Sequence, residues 1–198
     1  AGMSAAAVIT PMLVTFLGME PYEAVGIALS SDVLASAVSA YTYNKNKNLD
    51  VKNGLYMMGS VLVFTVLGSY VSSLVPSQTM GNFSVFMTFL LGIKFIVKPV
   101  MTTKEAMQSV SPKKRALQSI ICGMIIGFIC GFVGAGGGMM MLLILTSVLG
   151  YELKTAVGTS VFIMAFTALT GALSHFSIGG SPDWLILALC VIFTFIWA

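Results

Sequence analysis

The side chains that could do chemistry in this chain are few, and most of them lie within long apolar stretches. Asp32 lies about eight residues into one such stretch, or about 12 Å along a helix, which is near the middle of a bilayer. A carboxyl group at that depth is costly unless it is paired, protonated or hydrated. We therefore predict that Asp32, with Ser31 beside it, binds a proton or another coupling cation. A structural pairing, for example with Lys94, and hydration of a pore are the alternatives.

A cluster of glycines in the stretch FICGFVGAGGGMMMLL is the strongest local signal. Four glycines fall close together there, and each weakens a helix; they are Gly134, Gly136, Gly137 and Gly138. We predict that the helix breaks at this cluster and restarts near Met139. The first amide N–H groups of the restarted helix would then lie within the membrane, where such groups attract anions. A tight turn between two packed helices is the alternative.

Further polar side chains occur near the ends of apolar segments. Thr159 and Ser160 could donate hydrogen bonds to the oxygens of an anion, or they could cap a helix or bond back to a carbonyl group. His175, the only histidine, could relay a proton or form a polar helix end. Glu20 and Glu152 lie in loops, where helix capping and a contact that gates a site are both reasonable roles.

The composition identifies the class of protein. Of the 198 residues, 57% are apolar and 9% are charged, and the mean hydropathy is +0.96. Because ordinary globular domains carry about 25% charged residues, this chain cannot form a water-facing surface over a soluble fold. A cytosolic enzyme, a nucleic-acid-binding protein and a secreted disulfide scaffold are therefore excluded. No nucleophile–base pair or metal-ligand cluster is evident in the sequence, so we expect neither enzymatic activity nor a cofactor.

Hydropathy divides the chain into about eight apolar segments, which we predict to be the helices of an all-α, polytopic integral membrane protein. The segments are 2–18, 24–43, 54–75, 83–97, 116–133, 139–150, 156–176 and 184–198. The sequence opens at Ala1 without an initiator methionine, and its last segment is too short to cross a bilayer, so we expect further helix at both ends. Within the fifth segment, glycines recur every four residues and predict a smooth face for close helix packing; they are Gly123, Gly127 and Gly131.

The loops predict the orientation. Residues 44–53 and 98–115 carry most of the lysines, whereas residues 76–82 carry no charge. The positive-inside rule places the two basic loops in the cytoplasm, and counting onward places residues 177–183 outside. The loop at 98–115 is either a solvated linker or an interfacial amphipathic turn.

The two ends of the chain are related by an internal repeat. At an offset of 132 residues, LGMEPYEAVG aligns with LGYELKTAVG, so that glycine and glutamate positions match as well as apolar ones. Five segments separate the equivalent loops, and this odd number predicts that the two halves have opposite orientations in the membrane. We assign residues 1–97 to the first repeat, 98–115 to the basic loop and 116–198 to the second repeat. The counterpart of the glycine break is then a stretch of small residues: Gly2, Met3, Ser4 and Ala5.

The stretches FVGAGGG, LGYELKTAVGTS and GALSHF, followed by SPDW, resemble the second-half signature of the TauE/SafE sulfite exporter family, also called TSUP. The first-half AVG stretch is similar to that family's first repeat. The resemblance covers nearly the whole chain and implies a bacterial or archaeal membrane transporter of sulfite, thiosulfate, sulfonates or related organosulfur anions. The first-half break departs from the family pattern, because it reads GMSAA and lacks a run of glycines.

Together these observations predict a secondary transporter in the cell membrane that binds a small sulfur-containing anion at the midplane, where the two repeats meet. The expected site consists of the glycine break, its first-half counterpart, Thr159 and Ser160, and Asp32 is expected to couple transport to a proton. A passive anion channel would use the same helix ends to line a continuous pore. A non-transporting membrane scaffold or sulfur-relay protein would bind no small anion. Apart from the anion, the coupling ion and the lipid bilayer, no partner is implied.

Overall fold

The computed structural model describes residues 4–97, 112–134 and 137–197. Within these ranges all regular secondary structure is α-helical, which confirms the prediction of an all-helical chain. In chain order the helices are α1 (Ala6–Leu17), α2 (Pro21–Lys45), α3 (Val51–Ser73), α4 (Ser77–Val97), α5 (Pro112–Val133), α6 (Gly137–Ser147), α7 (Leu153–Gly179) and α8 (Trp184–Trp197).

Two classes of helix length are present among the described residues. Four helical stretches are long and apolar enough to cross a membrane: Pro21–Lys45, Val51–Ser73, Ala116–Val133 and Leu153–Gly179. By contrast, α1 has 12 residues and α6 has 11. At 1.5 Å per residue these two helices span only about 16–18 Å, roughly half of a hydrocarbon core. Each is therefore a half-helix that begins deep within the protein.

Two predicted boundaries are wrong by a few residues. Helix α6 begins at Gly137, two residues before the expected restart at Met139, because Gly137 and Gly138 adopt helical conformations. The break follows Gly134, whose φ of +68° is in the left-handed region. Helix α5 begins at Pro112, so the last residues of the predicted 98–115 loop are helical, and residues 98–111 lie outside the described residues.

The 132-residue offset relates the ends of the helices as well as the sequence. Both half-helices end in a left-handed glycine, Gly18 with a φ of 63° and Gly150 with a φ of 69°. The amide after each glycine bonds to an equivalent carbonyl oxygen, that of Leu13 at 3.2 Å or that of Leu145 at 2.8 Å. Glycine adopts this conformation without steric cost, and the bond satisfies a carbonyl group at the helix end. The two half-helices are therefore terminated by the same local structure.

Helices α2 and α7, which correspond at the same offset, pack against each other in opposite directions. Near the start of α2, Gly26 lies against His175, which is near the end of α7. Near the end of α2, Tyr43 lies against Gly158, which is near the start of α7. The two contacts correspond to each other, because at the 132-residue offset Gly26 aligns with Gly158 and Tyr43 aligns with His175. The helix pair at the centre of the fold is thus antiparallel.

The prediction that Gly123, Gly127 and Gly131 form a close-packing face is confirmed. All three lie against α3 so closely that a Cβ atom would collide with it. At Gly127 an added Cβ would lie 2.3 Å from the carbonyl oxygen of Val61. Because the atom that it would meet belongs to the backbone, the collision cannot be relieved by a side-chain rotation. The absence of a side chain at these positions sets the distance between α3 and α5.

We expect Gly127→Ala to lower the free energy of unfolding by about 3 kcal/mol, because the added methyl group must push α3 away from α5. Gly59→Ala is the matched control, since a Cβ at Gly59 of α3 meets no atom within 4 Å. We expect that control to be neutral or slightly stabilising, because alanine favours a helix. Denaturant unfolding of both purified variants measures the difference. Equal stability of the two variants would contradict the close α3–α5 contact.

Candidate functional site

The first half-helix starts against the side chain of Asp32. Asp32 lies near the middle of α2, about 16 Å along the helix from Pro21, and is 1% exposed. Its carboxylate accepts a hydrogen bond from the backbone N–H of Ala5 at 2.7 Å and another from the hydroxyl group of Ser4. The N–H groups at the start of a helix carry partial positive charge, so a carboxylate there is stabilised. The Asp32 carboxylate is therefore the negatively charged group that binds the N–H groups at the start of α1.

The second half-helix starts in different surroundings. A Cβ atom at Gly137 would lie 2.8 Å from Cys130 Sγ and 3.5 Å from Met164 Sδ. Gly134, at the break itself, lies against the side chain of Val25 on α2. Gly134 is thus favoured by a close contact and by its left-handed backbone conformation, whereas Gly137 is favoured by a close contact alone. The described side chains nearest to Gly137 are sulfur-containing and uncharged.

The two half-helix starts are equivalent positions with different chemistry. At the 132-residue offset Ala5 corresponds to Gly137 and Asp32 corresponds to Met164. Met164 therefore lies beside Gly137 at the start of α6, just as Asp32 lies beside Ala5 at the start of α1. The sequence repeat by itself indicates that Met164 is the counterpart of Asp32. Of the two equivalent side chains, only that of Asp32 is charged.

The side chains of Thr159 and Ser160 bond within the protein. Both are buried in the second turn of α7, which begins at Leu153, so they do not lie at a helix terminus as expected. The hydroxyl group of Ser160 donates to the carbonyl oxygen of Val157 at 2.8 Å, which is the alternative of bonding back to a carbonyl. The hydroxyl oxygen of Thr159 accepts from the backbone N–H of Asp50 at 3.1 Å. Ser31 also bonds within its own helix, to the carbonyl oxygen of Ile27 at 3.1 Å.

The contact of Thr159 belongs to an anchored loop that sequence analysis did not identify. Asp50 is the N-cap of α3 and accepts from the backbone N–H of Asn53 at 3.1 Å. Its other oxygen accepts from the phenol of Tyr151 at 3.0 Å. These bonds tie the loop between α2 and α3 to the loop between α6 and α7. Spacing in the sequence gives no signal for them, because their partners are about 100 residues apart.

His175 belongs to a buried polar cluster near the start of α2 and the end of α7, at the end of this helix pair that is far from Thr159 and Asp50. Its Nδ1 lies 2.9 Å from the carbonyl oxygen of Gly171 and 3.1 Å from Ser69 Oγ, while its Nε2 has no hydrogen-bond partner among the described residues. The ring of Tyr22 stacks on the imidazole with a centroid distance of 4.4 Å. The Ser69 and Tyr22 contacts were not foreseen, because neither residue stands out in the sequence.

Glu20 and Glu152 occupy equivalent positions, each immediately before one of the antiparallel helices. Both have extended backbone conformations, with ψ angles of 129° and 142°, and neither side chain forms a cap hydrogen bond to its helix. Glu20 also lines a pocket beside His175. Because α2 and α7 are antiparallel, Glu20 and Glu152 lie at opposite ends of this helix pair, and Glu20 is 12 residues, or about 18 Å along the helix, from Asp32.

Several predicted site residues lie outside the described residues. They are Gly2 and Met3 at the start of the chain and Gly136 in the break, and the side chain of Lys94 is likewise not described. Met139 lies in the first turn of α6 and is half-buried.

Comparisons with known proteins agree with the fold and with the apolar helices. The family described as sulfite exporter TauE/SafE matches residues 1–198. The probable membrane transporter protein YunE of Bacillus subtilis is 27% identical over 93% of this chain and 74% of its own length. The probable membrane transporter protein YdhB of the same organism is 22% identical over 94% of this chain and 76% of its own length.

A probable membrane transporter protein of Methanocaldococcus jannaschii, MJ0441, is 28% identical over 77% of this chain and 55% of its own length. No solved structure matches the chain. The relatives are named as membrane transporters, and the four long apolar helices fit a multi-pass membrane protein. Since the family match covers the whole sequence, the chain belongs to the sulfite exporter TauE/SafE family of membrane transporters.

Proposed function

We propose that this protein is a secondary transporter of sulfite or a related organosulfur anion, such as a sulfonate or thiosulfate, and that it works by alternating access. The observation that carries the proposal is the position of Asp32. Its carboxylate lies halfway along α2 and binds the start of a half-helix, which is where an external oxyanion would also find hydrogen-bond donors. Secondary transporters commonly bind anionic substrate groups at the N-termini of such broken helices.

The internal repeat supports alternating access. We propose that residues 1–97 and 116–198 are inverted repeats joined by the basic loop. The antiparallel packing of α2 on α7, and the matched ends of α1 and α6, are what an inverted duplication produces. In such an arrangement the half-helices enter from opposite faces and their N-termini approach a common depth. A site at that depth can be exposed to either side when one half moves against the other.

We place the substrate at the second half-helix, near Gly134, Gly137, Gly138 and Met139. Asp32 already supplies the anion at the start of α1, whereas Met164 supplies none at the start of α6. Ser160 is not included, because its hydroxyl group donates to the carbonyl oxygen of Val157. Thr159 is not included, because its hydroxyl group lies beside Asp50, in the loop that leads into α3.

Asp32 is the proposed coupling group, and its contact with α1 suggests how coupling works. An ionised Asp32 and a sulfur oxyanion compete for the same kind of donor, and they repel each other because both are negative and the dielectric constant of the protein interior is low. Protonation of Asp32 removes that charge and weakens its hold on the N–H of Ala5. Anion binding is then favoured when Asp32 carries a proton, so the anion and the proton move together.

We expect Asp32→Asn to abolish accumulation of sulfite driven by a pH gradient in proteoliposomes while leaving downhill flux. Asparagine keeps an acceptor for the N–H of Ala5 but binds no proton in this range. Asp183→Asn is the matched control, because Asp183 accepts from the N–H groups of Leu185 and Ile186 and asparagine is an equally good N-cap. Accumulation by Asp32→Asn equal to the control would remove Asp32 from the coupling step. Flux that only reaches equilibrium in every variant, wild type included, would indicate a channel.

We expect Met164→Asp to reduce sulfite flux about tenfold or more at alkaline pH, because it places a second internal carboxylate at the start of α6. Met164→Asn, which is similar in size but uncharged, is the control for the polarity of the new side chain. The sign of the pH dependence is fixed: acidification protonates the new carboxylate, so flux by Met164→Asp should recover toward that of Met164→Asn. Equal inhibition by both variants at every pH would exclude close approach of the anion to α6.

Gly137→Leu is a poorer test of the same site. A side chain at that position would collide with Cys130, so lost transport would report misfolding as readily as lost binding.

A further inference from the structure

A small pocket opens beside His175, between the start of α2 and the end of α7. Its volume is about 60 Å³, which is enough for one or two water molecules. The residues that line it include Glu20, Tyr22, Glu23, Gly179 and Gly180. His175 also lines it and is 1% exposed. By the orientation of the loops, this is the end of the protein that faces away from the cytoplasm.

The contacts of the imidazole ring determine its tautomer. The carbonyl oxygen of Gly171, 2.9 Å from Nδ1, can only accept a hydrogen bond, so Nδ1 carries the proton. The hydroxyl group of Ser69 can donate to the carbonyl oxygen of Gly131, 3.3 Å away, and present its oxygen to Nδ1. Nε2 is then an unprotonated acceptor. It is buried and finds no donor among the described residues.

We propose that this pocket is a proton-binding site on the outer side of the protein, with Nε2 of His175 as the acceptor and the Glu20 and Glu23 carboxylates drawing the proton in. The step is a proton transfer: a hydronium ion in the pocket gives up a proton and leaves water, and Nε2 forms an N–H bond, so the neutral imidazole becomes an imidazolium. The new N–H can donate to water in the pocket. The proposed role in transport rests on the proton coupling proposed above.

Burial of the ring disfavours the charged form, and three features of its surroundings offset that cost. The Tyr22 ring, stacked at 4.4 Å, attracts a cation through its π face. His175 lies four residues before the end of α7, where the helix dipole favours positive charge. Glu20 and Glu23 add negative charge on the wall formed by α2.

Among the described residues, the other groups that face His175 are neutral or already hydrogen-bonded. Ser69 on α3 does not titrate, and the phenol of Tyr22 donates to the backbone carbonyl oxygen of Ser69 at 3.3 Å. Glu23 accepts from the backbone N–H of Asp183 at 2.8 Å, which fixes its position at the pocket. No lysine or arginine is among the described residues that line the pocket.

A proton suits this pocket better than a metal ion. Hard cations such as Na⁺ and Mg²⁺ require several oxygen ligands, whereas the unpartnered acceptor here is an imidazole nitrogen. In the described parts of the chain, no three histidine, cysteine or carboxylate side chains lie close enough together to bind a metal ion. A single proton satisfies Nε2 without any further ligand.

The single histidine makes the site directly observable. Protein labelled with ¹⁵N-histidine and purified through a tag without histidine gives one pair of imidazole nitrogen signals. We expect the neutral Nδ1–H tautomer at alkaline pH and conversion to imidazolium on acidification. The double variant Glu20→Gln/Glu23→Gln should move the midpoint to lower pH by on the order of 0.5 unit, because two nearby negative charges are lost.

Glu152→Gln is the matched control, since Glu152 is the repeat counterpart of Glu20 and lies at the other end of α7. Its midpoint should equal that of the wild type. An Nε2–H tautomer at alkaline pH, an imidazole that stays neutral wherever the protein is folded, or an unchanged midpoint in the double variant would overturn the proposal. So would a signal that follows the Na⁺ concentration and not pH. Because this measurement needs no substrate, it can fail or succeed independently of sulfite transport.

Discussion

The fold depends on one constraint: a helix that begins inside an apolar protein leaves its first N–H groups without partners. Water and lipid cannot supply acceptors there, so the protein must. For α1 the acceptor is Asp32, which bonds Ala5 and Ser4 and so fixes the start of α1 halfway along α2. The other end of α1 is fixed by its left-handed glycine and by the turn into α2. The depth of the half-helix follows from these two attachments.

The same constraint applies at α6, but there the side chain equivalent to Asp32 is uncharged. Met164 stands where Asp32 stands in the first half, and Tyr43 stands where His175 stands in the second. The two corresponding helices thus carry a carboxyl group at the centre of one and an imidazole near the end of the other. A carboxylate at both half-helices would repel an anion from both. In the proposed mechanism, the uncharged Met164 leaves the start of α6 to the substrate, while Asp32 binds the proton.

Sequence patterns predicted the elements of this fold better than its contacts. Hydropathy indicated the helices, and the 132-residue repeat indicated which of them correspond. Glycine spacing predicted the α3–α5 face, because a contact at every fourth residue depends only on helix geometry. The predicted start of α6 is two residues too late, because glycine lowers the stability of a helix but does not prevent one. Gly137 is helical, and it packs closely against Cys130. Thr159 was assigned to an anion site for its hydroxyl group, but its acceptor capacity serves Asp50, a partner that no local pattern reveals.

The spacing between the two proposed proton sites bears on the mechanism. His175 packs at the level of Gly26, which is six residues, or about 9 Å, along α2 from Asp32. Between these levels lies Leu29, which is fully buried and packs against Gly171. A proton cannot pass directly over that distance, because hydrogen bonds join atoms only about 3 Å apart. Transfer from the outer pocket to Asp32 therefore requires that α2 and α7 shift and admit water, which is the movement that alternating access demands. In the proposed mechanism, such a barrier would prevent the proton from crossing alone, so that the proton would move only together with the substrate.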